Sequence, residues 1–458
     1  MTVRSILVFA CLSLALPGTV MAQNGQQPTT MEKLYQPLPW VHATNVYEVN
    51  VRQYSPEGTF ISFSRSLSRL KDMGVETLWI MPVTPISVEK RQGTLGSYYA
   101  ASDYTSVNPE FGTLEDFRNL VQQAHRLGLK VIIDWVANHT GWDHRWVKAH
   151  PDFYKRNEHG QFYDPHGWAD VIDLDYSNPD LRQAMIESMK FWIKTCDIDG
   201  FRCDMAMLVP LDFWTEARRT LDSVKPLFWM AELDQLDNPD YLTVFDAAYT
   251  WTWMHTTQTF YQQHGAISGL DSLLIAYDHK PPADAMRLWF TSNHDENTWN
   301  GTEYDKYGDM ALPLAVFSAT WNGIPMLYSG QELPNHKRLK FFEHDPIDWG
   351  GGTPALQVFY HTLLALHSRN PALRAGDSAV TTYRLHTTAD SQVFAYLRKR
   401  GDKEVLVFLN FSHDAVTFRL LDDWAVGSYT DAFTGRRGDV GRDKDFIVQP
   451  WGFTVMER

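Results

Sequence analysis

Short apolar runs alternate with amphipathic segments from about residue 44 onward, and this alternation constrains the fold more than any other feature. Eight of these runs predict strands, over Val46–Val51, Thr77–Met81, Lys130–Asp134, Gly200–Asp204, Phe228–Glu232, Ala247–Thr252, Arg287–Ser292 and Ile324–Tyr328. Strands that alternate with helices form parallel sheets, and eight of them favour a closed barrel over an open sheet. The sequence therefore predicts an α/β fold built on a (β/α)8 barrel.

Apolar residues three and four positions apart mark the helices between these strands. Phe63, Leu67, Leu70 and Met73 lie on one helical face and predict a helix that ends at Gly74. A second amphipathic face runs from Leu114 to Leu127 and leads into the third strand.

Two stretches depart from this alternation. Residues 141–172 are polar and rich in His, Asp and aromatic residues, which predicts a short lobe inserted after strand 3. After Gly376 the apolar period becomes two, and two such runs flank Arg400-Gly401-Asp402, a hairpin signal. We therefore predict that the barrel domain covers 23–375 and that a C-terminal antiparallel β-sandwich domain covers 376–458.

The N-terminus has the three-part pattern of a secretory signal. Arg4 precedes an apolar run from Ile6 to Leu16, and Val20-Met21-Ala22 forms a small-residue cleavage site. The apolar run is too short for a membrane span. We expect a signal peptide over 1–22 and export of the chain to the periplasm or the medium.

Charge and composition narrow the class of partner. The formal net charge is −14, which argues against nucleic acid and anionic membranes, because both need basic patches. The chain has 17 Trp, and sugar rings stack on aromatic side chains, although a large fold also buries Trp in its core.

Cys196 and Cys203 are expected to remain free thiols, because a chain of this size does not need a disulfide to stabilise its fold.

Carboxylate and histidine side chains follow several of the predicted strands. In a βα-barrel the functional groups gather at the carboxyl ends of the strands, so these side chains should face one pocket. Arg202 and Asp204 are two residues apart, so both point to the same face of their strand. They would form either a functional pair, with Arg202 favouring the charged form of Asp204, or an ion pair that only closes the barrel.

Four of these segments together resemble the conserved regions of the α-amylase family of retaining glycoside hydrolases. They are Asn138-His139, Gly200-Phe201-Arg202-Cys203-Asp204, Glu232, and Asn293-His294-Asp295, in that order. Asp103-Tyr104 and the stretch from Asn108 to Thr113 also look like this family.

The resemblance implies a role for each matched residue. Asp204 matches the nucleophile, Glu232 the general acid/base and Asp295 the third carboxylate, which helps to distort and stabilise the substrate. A retaining enzyme needs its nucleophile and its acid about 5–5.5 Å apart, and the acid needs a raised pKa. The residues that match sugar-binding groups are Tyr99, His139, Arg202 and His294, with Tyr98 as the alternative to Tyr99 for the aromatic platform.

A structural calcium ion is common in this family, and Asn138 and Asp173 match two of its ligands. No organic cofactor is implied. Many α-amylases carry Lys-His shortly after the nucleophile, where this chain has Met207-Leu208. This departure leaves one calcium ligand and the leaving-group subsites open.

The resemblance implies hydrolysis of α-1,4-glucosidic bonds in starch-like glucans or maltooligosaccharides. Asp175 favours α-1,4 over α-1,6 specificity, since α-1,6-glucosidases more often have Asn there. The alternatives are an α-glucan transglycosylase, or another α-glucosidic linkage specificity, on the same barrel. A non-catalytic glucan-binding protein is a third hypothesis, but such relatives generally lose the three carboxylates. Glu332 and Asp345, after the eighth strand, are further candidates for lining the cleft.

Overall fold

The computed structural model describes residues 31–282, 284–351 and 354–458. Its centre is a closed barrel of eight parallel strands, which confirms the predicted fold class. The strands are β1 (Val46–Val49), β2 (Thr77–Ile80), β3 (Lys130–Trp135), β4 (Gly200–Cys203), β5 (Phe228–Asp234), β6 (Ala247–Tyr249), β7 (Met286–Trp289) and β8 (Ile324–Tyr328). Each strand pairs with the strands before and after it in the chain, and β8 pairs with β1 to close the barrel.

Helices surround the barrel and cover the outer faces of its strands. The α-helices are Val51–Tyr54, Phe60–Ser64, Leu67–Asp72, Leu114–Arg126, Arg145–Ala149, Pro179–Cys196, Leu211–Asp222, Trp251–Gln263, Ile267–His279, Glu303–Tyr307, Ala311–Thr320 and Pro354–Arg369. Single 3-10 turns lie at Val41–Ala43, Pro151–Phe153, Ala206–Leu208, Pro239–Thr243, Gly308–Met310, Trp349–Gly351 and Pro371–Leu373, and a π-helical turn lies at Glu296–Asn300.

Capping residues account for two differences between the predicted and observed boundaries. β1 ends at Val49 rather than Val51, because the Asn50 side chain accepts a hydrogen bond from the Gln53 amide and starts a helix. The single helix predicted to end at Gly74 is two helices. Thr59 and Ser62 form a capping box for the first, and the turn at residues 65–66 separates it from the second.

Successive residues of each barrel strand point alternately into the barrel and toward the helices, so the apolar side chains form an inner and an outer layer. Trp79, Phe228, Met230 and Ile324 belong to the cluster inside the barrel, while neighbouring residues such as Trp229 pack outward in the large cluster beneath the helices. Arg202 is a charged residue with a completely buried side chain, and its guanidinium lies 4.8 Å from the Trp79 ring centre. This arrangement positions the functional site directly above the apolar interior.

The inserted lobe, residues 141–172, is held to the barrel by a short antiparallel pair. The strand His139–Gly141 pairs with Val171–Asp173, which places Asp173 opposite His139. The lobe is therefore joined at both ends to residues next to the carboxyl end of β3.

The C-terminal region is antiparallel, as predicted. A six-stranded sheet has the order Thr381–Leu385, Val393–Arg400, Lys403–Asn410, Phe453–Glu457, Gly427–Asp431 and Arg437–Val440. A two-stranded sheet of Val416–Phe418 and Phe446–Val448 packs over it through contacts of Phe408 with Phe418 and Phe446. The domain limits at residues 375 and 376 remain a prediction.

Three other predictions concern the N-terminus, membrane-spanning segments and the cysteines. The predicted signal peptide, residues 1–22, lies outside the described residues. Within the described ranges, no helix is both long and apolar enough to cross a membrane. Cys196 and Cys203 are both buried free thiols, as expected.

Substitution of Gly200, at the start of β4, tests how closely β4 packs against β5. A Cβ atom at this position would lie 2.0 Å from the Phe228 carbonyl oxygen, so Gly200→Ala must move backbone. We expect it to lower the free energy of unfolding by about 1–3 kcal/mol, measured by denaturant unfolding. Gly269→Ala, on an exposed and open helical site, is the control and should be neutral or stabilising. Equal stability of the parent and the Gly200 variant would contradict this packing.

Candidate active site

A cleft of about 640 Å³ opens at the carboxyl ends of the barrel strands. Its size is typical of small-molecule binding sites. The predicted site residues that border it are Tyr99, His139, Asp204, Glu232 and Asp295. Arg202 and His294, the other two residues predicted to bind sugar, lie buried directly behind them. The structure therefore brings all three predicted catalytic carboxylates to one cavity.

Arg202 connects the carboxylates of three neighbouring strands. Its Nη1 donates hydrogen bonds to Asp134 Oδ1 at 2.9 Å and to Asp204 Oδ1 at 2.8 Å. Its Nη2 lies 2.8 Å from Glu232 Oε2 as an ion-pair contact without hydrogen-bond alignment. An ion pair that only closed the barrel would need Arg202 and Asp204 alone. The additional contact with Glu232, at the surface of the cleft, therefore favours the functional pair.

One buried cation faces three buried carboxylates, so the charges around Arg202 are not balanced when all three are ionised. Burial raises the pKa of Glu232 to about 7, with Asp204 and Asp295 adding to the effect and Arg202 opposing it. Burial also raises the pKa of Asp204 to about 6, against the influence of Arg202. Burial thus outweighs the lowering that we predicted from Arg202 alone.

The backbone after Asp204 also holds Glu232. The Met205 amide donates a hydrogen bond to Glu232 Oε2 at 2.9 Å. Met205 has φ 38° and ψ 48°, a left-handed conformation that is costly for a residue with a side chain. Such strain persists only where the surrounding structure enforces it, and here it aims an N–H group at the predicted acid.

His294 is held between two carboxylates. Its Nδ1 contacts Glu48 Oε1 at 2.5 Å, and its Nε2 lies 3.3 Å from Asp295 Oδ2. Burial alone would lower the pKa of His294, but Asp295 and Glu48 outweigh it and raise the pKa to about 9. The imidazole is therefore cationic at neutral pH, with both ring nitrogens acting as donors.

Tyr99 is the tyrosine that borders the cleft. Its ring stacks on His294 with centroids 5.4 Å apart, and its hydroxyl donates to Asp134 Oδ2 at 3.0 Å. Tyr98 lies instead beneath the Arg52 guanidinium, 4.3 Å away. Between the two candidates for the aromatic platform, the geometry selects Tyr99.

Aromatic side chains form two walls of the cleft. On one side, Phe341 stacks on Tyr99 at 6.3 Å, and Trp299 follows at 5.5 Å from Phe341. On the other side, Trp168 of the inserted lobe packs edge-on against His139 at 5.4 Å. Burial lowers the pKa of His139 to about 4, so this histidine is neutral at neutral pH.

The predicted calcium ligands lie close together behind the cleft, but their surroundings do not fit calcium. Asn138 Nδ2 donates to Asp173 Oδ1 at 3.3 Å, so the two side chains bind each other. The Lys155 ammonium lies 3.0 Å from Asp173 Oδ2. Calcium requires six to eight oxygen ligands, whereas the atoms that contact this carboxylate belong to nitrogen groups of Asn138, Lys155 and His166.

Two candidates after the eighth strand lie away from the cleft. Glu332 is completely buried and accepts hydrogen bonds from Tyr47 and Arg69. Asp345 pairs with Lys337 and accepts from the Lys340 amide. Both carboxylates stabilise the loop that follows β8, so the suggestion that they line the cleft is wrong.

Sequence reasoning missed several residues of the site. Asp134 is the last residue of the third predicted strand, and its position across from Arg202 in the β3–β4 register could have identified it. Glu48 could have been noticed as a charged residue inside an apolar strand. The side chains that no local signal reveals, because long loops carry them to the cleft, are Trp168, Trp299, Phe341 and Phe342.

The charge of His294 provides a test of this geometry. The charged groups that face the imidazole are Glu48 from β1, Asp295 beside it and Arg202 from β4. Glu48→Gln removes one of the two anions, so we expect the pKa of His294 to fall from about 9 toward its usual value. The imidazole should then lose its charge at lower pH than in the parent.

Histidine-selective NMR titration measures this shift, with His294→Gln to assign the signal. Glu110→Gln is the control, because Glu110 pairs with Arg52 away from His294. An unchanged His294 pKa in the Glu48 variant would show that Glu48 does not hold the charge.

Comparison with known proteins identifies the family. The model of the alpha amylase catalytic domain matches residues 53–167 and 152–349, and that of the maltogenic amylase C-terminal domain matches residues 383–455. Among solved structures, a noncanonic maltogenic alpha-amylase from Thermotoga neapolitana is 29% identical with a TM-score of 0.83, covering 91% of this chain and 99% of that one. An alpha-amylase from Lactobacillus plantarum is 28% identical with a TM-score of 0.82, covering 92% and 99%.

Curated relatives are longer than this chain. The alpha-amylase MalA of Haloarcula japonica is 25% identical over 431 residues, and the match covers 90% of this chain and 62% of that protein. A cyclomaltodextrinase of Thermoanaerobacter pseudethanolicus is 25% identical over 376 residues, covering 75% and 62%. Family models match more than half of the chain, in the region that forms the barrel and its cleft. The chain therefore belongs to the alpha-amylase family.

Proposed function

We propose that the protein is a retaining glycoside hydrolase that cleaves α-1,4-glucosidic bonds in starch-like glucans or maltooligosaccharides. In this proposal Asp204 is the nucleophile, Glu232 the general acid/base and Asp295 the carboxylate that stabilises the distorted sugar. The family membership and the names of the relatives support this class of reaction.

The strand register is the observation that carries the proposal. Cys203 of β4 and Ala231 of β5 are paired, so Asp204 and Glu232 are the next residues along two adjacent strands. Adjacent strands lie about 4.8 Å apart, which is close to the separation of about 5–5.5 Å that a retaining glycosidase needs. Inverting enzymes need room for a water between the carboxyl groups, with separations of about 6.5–9.5 Å.

The surroundings of the two carboxyl groups support the two roles. Burial raises the pKa of Glu232 to about 7, so this group can carry a proton near neutral pH, whereas Asp204 accepts a hydrogen bond from Arg202, which favours its charged form. The Asp204 carboxylate attacks the anomeric carbon, the bond from that carbon to the bridging oxygen breaks, and the bridging oxygen takes the Glu232 proton. The products of this step are a glycosyl ester of Asp204 and a shortened glucan with a free hydroxyl group.

The second step restores the enzyme. The Glu232 carboxylate takes a proton from water, the water oxygen bonds to the anomeric carbon, and the bond to Asp204 breaks. Two successive inversions give net retention. Arg202 stays in contact with both carboxyl groups, and its charge favours the form of Asp204 that leaves.

The aromatic walls support a glucan as the substrate. Tyr99 and Phe341 offer stacked rings beside the reacting centre, and Trp299 extends this surface with 51% of its area exposed. Sugar rings stack on such surfaces through their C–H faces. The stack of Tyr99, Phe341 and Trp299 leads out of the cleft, which suits a chain of several glucose units rather than a single sugar.

We also propose that the chain is exported to the periplasm or the medium. The residues that carry this are Arg4, the apolar run from Ile6 to Leu16, and the cleavage site that ends at Ala22.

Digestion of maltoheptaose tests the proposed reaction. We expect shorter maltooligosaccharides as the only products in chromatography, with the α anomer formed first in proton NMR. Glu232→Gln should lower kcat by about 10²–10⁴-fold, because the leaving oxygen loses its proton donor, while substrate binding is retained. Glu216→Gln, on the helix after β4, is the matched control with unchanged kcat.

Other products would redirect the proposal. Oligomers longer than maltoheptaose would indicate a transglycosylase, in which a sugar hydroxyl replaces the water. Binding without turnover of amylose, pullulan and cyclodextrin would indicate a glucan-binding protein. A kcat for the Glu232 variant equal to that of the parent would remove Glu232 from its assigned role.

A further inference from the structure

Asp173 is a buried anion at the base of the inserted lobe. Its side chain has no exposed surface, and its backbone pairs with His139, which borders the cleft. A buried carboxylate is stable only when hydrogen-bond donors or a cation compensate its charge. The group that compensates Asp173 therefore also holds the lobe to one wall of the cleft.

Lys155 supplies that compensation from inside the lobe. Its Nζ lies 3.0 Å from Asp173 Oδ2, and its backbone amide donates to the Asp173 carbonyl oxygen at 3.0 Å. Lys155 follows the 3-10 turn Pro151–Phe153 and is separated from Asp173 by most of the lobe. One residue thus binds Asp173 through both its main chain and its side chain.

Two further nitrogen atoms lie near the carboxylate. Asn138 Nδ2 donates to Asp173 Oδ1 at 3.3 Å, and His166 Nε2 lies 3.8 Å from Oδ2. An ammonium group has three donors and no acceptor, so it cannot share a metal ion with the carboxylate that it binds. A divalent cation placed beside Asp173 would meet the positive charge of Lys155 at close range.

Asp164, His166 and Asp173 nevertheless lie close enough together to suggest a metal site, with one ligand atom of each within 4.8 Å of the others. The interactions of Asp164 argue against this. Its Oδ2 accepts hydrogen bonds from the backbone amides of His166 and Trp168, which orders the turn that carries Trp168 to the cleft. Asp164 Oδ1 is the one oxygen of this group without a hydrogen-bond partner among the described residues, and one oxygen is too few for calcium.

We propose that the Lys155 ammonium replaces a divalent cation in fixing the inserted lobe to the strand of His139, so that the folded protein does not depend on calcium. The ammonium supplies one positive charge opposite Asp173, and the chain itself supplies the ligand. This inference concerns the stability of the fold and stands apart from the proposed reaction, because unfolding is measured without substrate.

Thermal unfolding of the full chain, with and without EDTA, is the first measurement. We expect the same Tm in EDTA, in CaCl2 and in ZnCl2, because no metal contributes to the folded state. A Tm that falls in EDTA, or that rises with either metal salt, would overturn the proposal.

Substitution of Lys155 is the second measurement. Lys155→Met keeps the length of the side chain but leaves Asp173 buried without its cation, so we expect a Tm several degrees lower than that of the parent. Lys155→Arg keeps the charge and should retain most of the parent Tm. Lys148→Met is the matched control, because Lys148 is an exposed lysine on the lobe helix Arg145–Ala149.

Limited proteolysis locates the effect. In the Lys155→Met variant we expect faster cleavage within residues 141–172, and unchanged rates in the Lys148→Met control. A Lys155→Met variant with the parent Tm and the parent cleavage rate would show that the ammonium does not fix the lobe. Activity on maltoheptaose is not part of either readout, so failure of the proposed function leaves this result unaffected.

Discussion

The buried guanidinium of Arg202 is the constraint on which the functional site depends. It lies in a low-dielectric interior with no exposed side-chain surface, and it contacts the carboxyl groups of Asp134, Asp204 and Glu232. One guanidinium does not fully compensate three buried carboxyl groups, and burial raises the pKa of all three against its opposing charge. The same side chain therefore holds the acids together at a cleft where a carboxylate and a carboxylic acid can stand side by side near neutral pH.

The barrel strands position the carboxyl groups of the site, and the loops supply the surfaces of the cleft. Asp204 and Glu232 stand on adjacent parallel strands, where the backbone fixes their separation, and rigid strands hold reacting groups more accurately than loops do. The loops contribute surfaces instead. Trp168 comes from the inserted lobe and Trp299 from the π-helical turn after β7, so the lobe and this turn shape the part of the cleft that a sugar chain would contact.

The barrel was predictable from the sequence because eight apolar segments alternate with amphipathic ones. Each apolar strand is buried, so it can be recognised even when its exact first and last residues are misjudged. Boundaries such as Val49 depended on single caps, which a search for periodicity does not weigh. Asp204 and Glu232 were predictable because each is the last residue of a predicted apolar strand, although the second of these strands continues to Asp234 in the structure. Glu48 and Lys155 were not, because their partners His294 and Asp173 are brought to them only by barrel closure and by the folding of the lobe.

Trapping of the covalent intermediate tests the central claim most directly. A fluorinated α-glycosyl fluoride that forms the glycosyl ester quickly and releases it slowly should add one sugar to the intact protein, seen by mass spectrometry. Peptide mapping should then locate the sugar on Asp204, as the account built on Arg202 predicts. A sugar on Glu232 or Asp295, or no labelled protein while the reagent is turned over, would contradict it.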